Sequence, residues 1–317
     1  MIPASALATA VRSRAALADG LWPAGVRAPG HILSISAPFD ADPAAAAFAL
    51  NAAFTGLERR PHTVMEGQWL GVAWVAHFGH FWGLWTGPLA GLLPSGRPAW
   101  LRYGAFERLG PGGVTETLLI LDLPALMVAH GRWPFAPPLG QSGLDPAPAS
   151  GDGLWRAAAE PAQTAASLAL VEAMIAGLMS YDGQSLASMG MRRFWTPDFS
   201  WYGPGPIGMA RGHADYERAH QGPFLAAIPD RRGGNHRCRM GDGPYVASVG
   251  WPSIRATHTG GDWLGLSATG KPITMRVMDL WRCENGWLAE NWVFIDIIEL
   301  FGQLGIDVLA RAAAMGR

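Results

Sequence analysis

Charge is scarce in this chain. Only 15% of its residues are Asp, Glu, Lys or Arg, and the net charge is −1. That balance gives no electrostatic footprint for nucleic acid. Cysteine is nearly absent. Cys238 and Cys283 cannot build a disulfide framework and nothing marks a metal cluster, so two free buried thiols are expected. Residues 1–20 hold Arg12 and Arg14 but no continuous apolar core, so no signal peptide is expected, and a cytoplasmic, bacterium-like setting follows. A Gly-rich phosphate loop, a GxSxG elbow and a Cys/His catalytic signature are also missing.

What is present is aromatic and apolar. The 317 residues include 15 Trp, a composition far from that of a disordered chain. The length suits two domains of about 150 residues, each able to bury its own core. Trp69 to Leu93 runs 25 residues without Lys, Arg, Asp or Glu, long enough on length alone to span a membrane. Its five glycines, one proline and two histidines argue against a span. An apolar surface that packs against the second half of the chain or another subunit is expected instead.

The chain repeats itself. A shift of 174 residues lays 52–131 on 226–305 without a gap, and 19 of the 80 positions are identical. The matches include His62/His236, Arg102/Arg276, Arg108/Arg282, Glu116/Glu290, Asp122/Asp296 and several turn glycines, which imply shared backbone geometry. Each copy is a control for the other. A polar residue present in both serves the fold, whereas one present in a single copy is the better candidate for function.

Residues 1–133 are read as a shortened, degenerate copy with a structural role, 134–158 as a Pro-rich linker, and 159–317 as the complete copy. In the second copy a helix is expected over Glu160 to Ala187 and another over His213 to Ile228, interrupted at Pro223. Strands follow at about 234–241, 244–258, 271–283 and 287–296. The last two join through Glu284-Asn285-Gly286, a tight hairpin signal. Helices followed by an antiparallel meander form an α+β pattern, a curved sheet around helices with a pocket between them.

Trp251, Thr257-His258-Thr259-Gly260, Thr269-Gly270-Lys271-Pro272, Met278-Asp279-Leu280-Trp281-Arg282, Asn285-Gly286, Glu290-Asn291-Trp292, Asp296 and Gln303-Leu304-Gly305 form an ordered set. With it, the second copy resembles the SnoaL-like polyketide cyclases of the nuclear transport factor 2-like superfamily. The resemblance covers roughly residues 160–310 and, more weakly, 20–131. It implies two fused cone-shaped α+β barrels, each a curved antiparallel sheet around N-terminal helices with a deep, largely apolar pocket. It also implies ring closure by an intramolecular aldol step without metal or cofactor, and it places the acid/base carboxylate on Asp296. Relatives in the superfamily include isomerases, dehydratases and epoxide hydrolases.

The candidate residues follow. A carboxylate at the mouth of an apolar pocket suits acid/base work, but Asp296 also precedes a helix, where Asp is a preferred cap, and Asp122 occupies the same place. His258 and Asp279 face Leu84 and Ala105 in the first copy, so they form the candidate assisting pair. Asn291, which faces Thr117, or Tyr202 is the candidate oxyanion donor. His220, Trp251 and Arg276 complete the substrate-binding set. Arg276 is also a candidate ion-pair partner of Glu290. A zinc site from His213, His220, His236 and His258 lacks short helical spacing and is not expected. The expected function is a cofactor-free cyclase or isomerase acting on a small, mostly apolar ketone or polyketide-like compound. The alternatives are a ligand-binding scaffold and a hydrolase with an Asp279–Arg276–Asp296 relay. The expected partners are a small apolar ligand, neither nucleic acid nor membrane, and a pseudo-dimer of the two domains that could assemble further.

Overall fold

A computed structural model describes residues 4–12, 15–16, 26–261 and 263–315. They divide into two compact units. The first comprises Met1–Pro134, Pro146–Arg156 and Ile306–Arg317, and the second Phe135–Asp145 and Ala157–Gly305. Both are mixed α+β, and each sheet is an open, cone-like curve rather than a closed barrel.

The first unit runs α1 (Ala4–Arg12), β1 (Ala15–Ala16), β2 (Arg27–Ile35), α2 (Ala45–Ala53), β3 (Phe54–Trp69), β4 (Val72–Trp85), β5 (Pro98–Gly110), β6 (Gly113–Leu121) and α3 (Leu123–Ala129). Its sheet has the order β1-β3-β4-β5-β6-β2, with β2 parallel to β6. The charge-free run from Trp69 is mostly β4, an interior strand between β3 and β5. Trp74, Val75, Ala76, His77 and Phe78 are all buried there, so successive residues on both faces avoid water. The helix α1 buries Leu7, Ala8 and Val11 against Val64, Val75, Leu109 and Val114. Full burial of a Leu or Val side chain such as Leu7 or Val11 stabilises the unit by about 1.5–3 kcal/mol.

The second unit runs α4 (Pro161–Leu178), β7 (Trp195–Tyr202), β8 (Met209–Arg211), α5 (Gly212–Tyr216), a π-helical turn (Glu217–Gln221), α6 (Gly222–Ala227), β9 (Arg232–Gly233), β10 (His236–Asp242), β11 (Tyr245–Thr257), β12 (Pro272–Glu284), β13 (Trp287–Ile295) and α7 (Ile297–Gln303). The sheet order is β10-β11-β12-β13-β7-β8, with β9 beside β11 and β7 parallel to β13. Asn285 and Gly286 both have positive φ (+50° and +82°), the backbone a two-residue hairpin with right-twisted strands requires.

The two units share a detail of register. Arg108 faces Glu116 and Arg282 faces Glu290, each pair directly before a bulge in its strand. Three expected boundaries come out differently. The helix expected to Ala187 ends at Leu178, because the Asp182 carboxylate accepts hydrogen bonds from the amides of Gln184 and Ser185 at 2.8 Å, and that local turn competes with helix. The expected linker is tied down. The Gly140 amide donates to Ile207 O (2.9 Å) in the second unit, and the Val64 amide donates to Gly153 O (3.0 Å) in the first. The last helix, α8 (Val308–Ala314), groups with the first unit.

Among the described residues one helix, α4, is long and apolar enough to cross a membrane by length and composition. It buries Ser167, Val171 and Met174, and Met174, Ile175 and Leu178 line a cavity of the second unit.

Candidate active site

That cavity measures about 390 Å³ and its wall is mostly apolar, the size and character common for small-molecule sites. Side-chain alternation along two strands builds its floor. On β12 the residues facing it are Val277, Asp279 and Trp281, and on β13 they are Asn291, Val293 and Ile295. The intervening residues, including Arg276, Arg282, Glu290 and Trp292, are outside the lining.

Among the described residues, Asp279 is the single carboxylate of the lining. Its Oδ1 accepts a hydrogen bond from Asn291 Nδ2 at 3.3 Å, and the same nitrogen donates to Leu280 O at 3.2 Å. Burial pushes the Asp279 pKa up to about 7, against the opposing pulls of the Asn291 hydrogen bond and the Arg239 charge. Ser248 lies beside Asp279 in register, with Arg239 beside Ser248, so a polar row crosses the floor.

The roof comes from the broken helix. Pro223 lacks an amide proton, and the chain before it opens into the π-helical turn. This turn brings both His220 and Gln221 to the cavity, joined by Tyr216 and Phe224. His220 stacks on Trp201, with ring centroids 4.2 Å apart and planes 15° apart. Burial, aided by the Arg231 charge, lowers its pKa to about 3, so the ring is neutral. Its Nδ1 and the Gln221 Nε2 are buried without a hydrogen-bond partner among the described residues. The Tyr216 phenol is pushed above its ordinary pKa by burial and by the Asp279 charge, so it stays a donor.

The expected site residues are thus divided. Asp279, Asn291 and His220 share the cavity. Asp296 does not line it. It accepts from the Glu299 amide at 3.2 Å, capping α7, and pairs with Arg276 at 3.0 Å. Arg276 lies over the Trp251 ring at 5.0 Å, outside the lining, and its carboxylate partner is Asp296 rather than Glu290. Glu290 instead binds Arg282 and accepts from the Tyr202 hydroxyl at 3.3 Å. Tyr202 and Trp251 are also outside the lining. His258, beyond the end of β11, meets Thr269 through Nδ1 at 3.1 Å and forms no pair with Asp279. The relay of Asp279, Arg276 and Asp296 is not assembled, because strand alternation turns the latter two away from the first. Of the four histidines weighed for zinc, His220 and His236 line the cavity, and His213 packs edge-on to Phe199.

Sequence reasoning missed Tyr216, Gln221 and Arg231. The spacing of Tyr216 and His220, four apart, is a usable signal; Gln221 needs the π-turn and carries none in the sequence.

Residues 181–304 match the family model of the SnoaL-like polyketide cyclases. No curated protein matches the chain. Among solved structures, the chain resembles a candidate hydroxylase from Streptomyces galilaeus, at 25% identity over 45% of this chain and 97% of that one, with a TM-score of 0.36. It is also similar to a candidate SnoaL-like polyketide cyclase from a Jannaschia species, at 15% identity over 47% and 97%, TM-score 0.39. A third likeness is an NTF2-like protein from Burkholderia xenovorans, at 18% identity over 47% and 97%, TM-score 0.34.

The first unit keeps buried polar groups of its own. Ala105 and Thr117 do stand at the positions of Asp279 and Asn291. A different buried cluster occurs nearby. Thr117 donates to Glu107, His31 Nε2 meets Thr117 Oγ1 at 2.8 Å, and His77 Nε2 lies 3.7 Å from Glu107.

Proposed function

We propose that the SnoaL-like unit is a cofactor-free acid/base enzyme of the cyclase or isomerase type, acting on a small, mostly apolar ketone or polyketide-like substrate. Asp279, rather than Asp296, is its proton-transfer group. One observation carries this: a lone carboxylate in an apolar cavity, with a pKa near 7 and an orienting amide from Asn291. A group poised near the working pH is effective both as base and as conjugate acid.

The Asp279 carboxylate takes a proton from the carbon next to a substrate carbonyl. Negative charge then moves to the carbonyl oxygen, where the Tyr216 hydroxyl and the Gln221 amide donate hydrogen bonds. The enolate carbon attacks a second carbonyl of the same molecule and closes the ring. The new alkoxide takes the proton back from Asp279, so no net proton is consumed. In the isomerase variant the proton returns to a different carbon. His220, neutral and stacked on Trp201, shapes the apolar wall and offers one further hydrogen bond.

The test is hydrogen–deuterium exchange at the α-carbon of an apolar bicyclic ketone in D₂O, followed by NMR. Exchange above the buffer rate is expected with the natural sequence and should vanish in Asp279→Asn. Binding of the ketone without any exchange would favour a non-catalytic ligand-binding role.

A further inference from the structure

Two arginines, Arg231 in the cavity lining and Arg239 outside it, have no carboxylate within ion-pair distance among the described residues. Arg231 lines the cavity directly, half-buried. Its Nη2 donates to Leu178 O at 2.5 Å and approaches Met189 Sδ at 3.7 Å, and its guanidinium lies 5.7 Å from the Tyr181 ring centre. Its Nη1 and Nε make no hydrogen bond among the described residues, and neither is sealed from solvent. Arg239, on the polar row that includes Asp279, is buried with its Nη2 on His236 and its Nε without a partner. No carboxylate among the described residues lies within 4 Å of either guanidinium, whereas in the same unit Arg276 pairs with Asp296 and Arg282 with both Glu284 and Glu290.

A guanidinium fork with free N–H groups matches a carboxylate in two-point geometry. Among the described residues the only acid in the lining is Asp279, which is largely protonated below neutrality and is bonded to Asn291. The cavity is therefore apolar, with one cationic group, the Arg231 guanidinium, in its wall.

We infer that the substrate carries a carboxylate, which Arg231 binds, so that the cavity selects an apolar keto acid over the neutral ketone. The ketone half of that assignment rests on the acid/base role of Asp279; the carboxylate half does not. Arg231 is a specificity residue and takes no part in the proton transfers.

The experiment uses the full chain and two unreactive probes of equal shape, 2-naphthoate and 2-naphthamide. Binding is read from quenching of the cavity tryptophans Trp195, Trp201 and Trp281. At about pH 6 the probe acid is ionised and Asp279 mostly is not. The expected result is a Kd for naphthoate at least about tenfold below that for naphthamide, the size of a charge-assisted hydrogen bond. Arg231→Met should abolish that preference while leaving naphthamide binding within about twofold, and Arg231→Lys should keep part of it. Near-UV circular dichroism and the naphthamide affinity report whether the variants fold. Equal affinity for the two probes, failure of naphthoate to bind, or a preference that survives Arg231→Met overturns the inference. Neither probe undergoes proton transfer, so these outcomes are independent of whether Asp279 catalyses exchange.

Discussion

Arg276 Nη1 donates to Asp296 Oδ2 at 3.0 Å, and Arg102 Nη1 donates to Asp122 Oδ2 at the same distance. Both carboxylates also cap the helix that follows, Asp296 through the Glu299 amide and Asp122 through the Ala125 amide. The same device in both units, with no cavity lining in common, marks it as structural. Asp296→Ala should cost about 2–4 kcal/mol of stability, from a lost cap and an uncompensated arginine. Urea unfolding measures it. Proton exchange per folded molecule should stay within about twofold.

The pH dependence comes from Asp279. Its folded pKa, about 7, is above the unfolded value of 3.8. The folded state therefore holds the proton more tightly, and stability falls as pH rises between those values, then levels off. Asp279→Asn removes this penalty, so unfolding titrations should show the variant gaining on the natural sequence from about pH 4 to pH 7, by a few kcal/mol at most. Exchange should instead rise with pH to a plateau, half-maximal near pH 7, because the base must be ionised. A flat profile contradicts the assignment.

Tyr216→Phe removes one hydrogen bond to the developing oxyanion and little volume. The exchange rate should fall about 10- to 100-fold with ketone affinity unchanged, as for removal of a single oxyanion donor. A large loss of affinity with normal turnover would place Tyr216 in the wall only.

In the first unit, Glu107 accepts from Thr117 and faces His77 inside a sealed region. Glu107→Ala strands these groups and should destabilise the chain by about 2–4 kcal/mol by urea unfolding. Exchange in the second unit should be unaffected in molecules that remain folded.

Much of the architecture was legible because period-2 strands, turn glycines and the Asn285-Gly286 hairpin are local signals. The same alternation also held the key to the site. Asp279 shares a face with Val277 and Trp281, and Asn291 with Val293, so both belong together. Arg276 and Asp296 fall on the opposite parity. Family likeness places the acid/base carboxylate on Asp296, whereas strand parity and the repeat, which matches Asp296 with Asp122, both point to a cap. What was illegible depends on tertiary structure. The π-turn that aims Gln221 inward and the loop that brings Arg231 to the wall have no periodic pattern. Similarly, the split of residues 134–156 between units reflects backbone hydrogen bonds that a Pro-rich composition does not specify.

The most direct measurement is α-proton exchange of an apolar bicyclic ketone in D₂O, comparing the natural sequence with Asp279→Asn and Asp296→Asn at about pH 8, where Asp279 is ionised. Exchange lost in Asp279→Asn and retained in Asp296→Asn is the predicted result. Exchange retained in Asp279→Asn and lost in a folded Asp296→Asn would contradict the account and return the acid/base role to the helix cap.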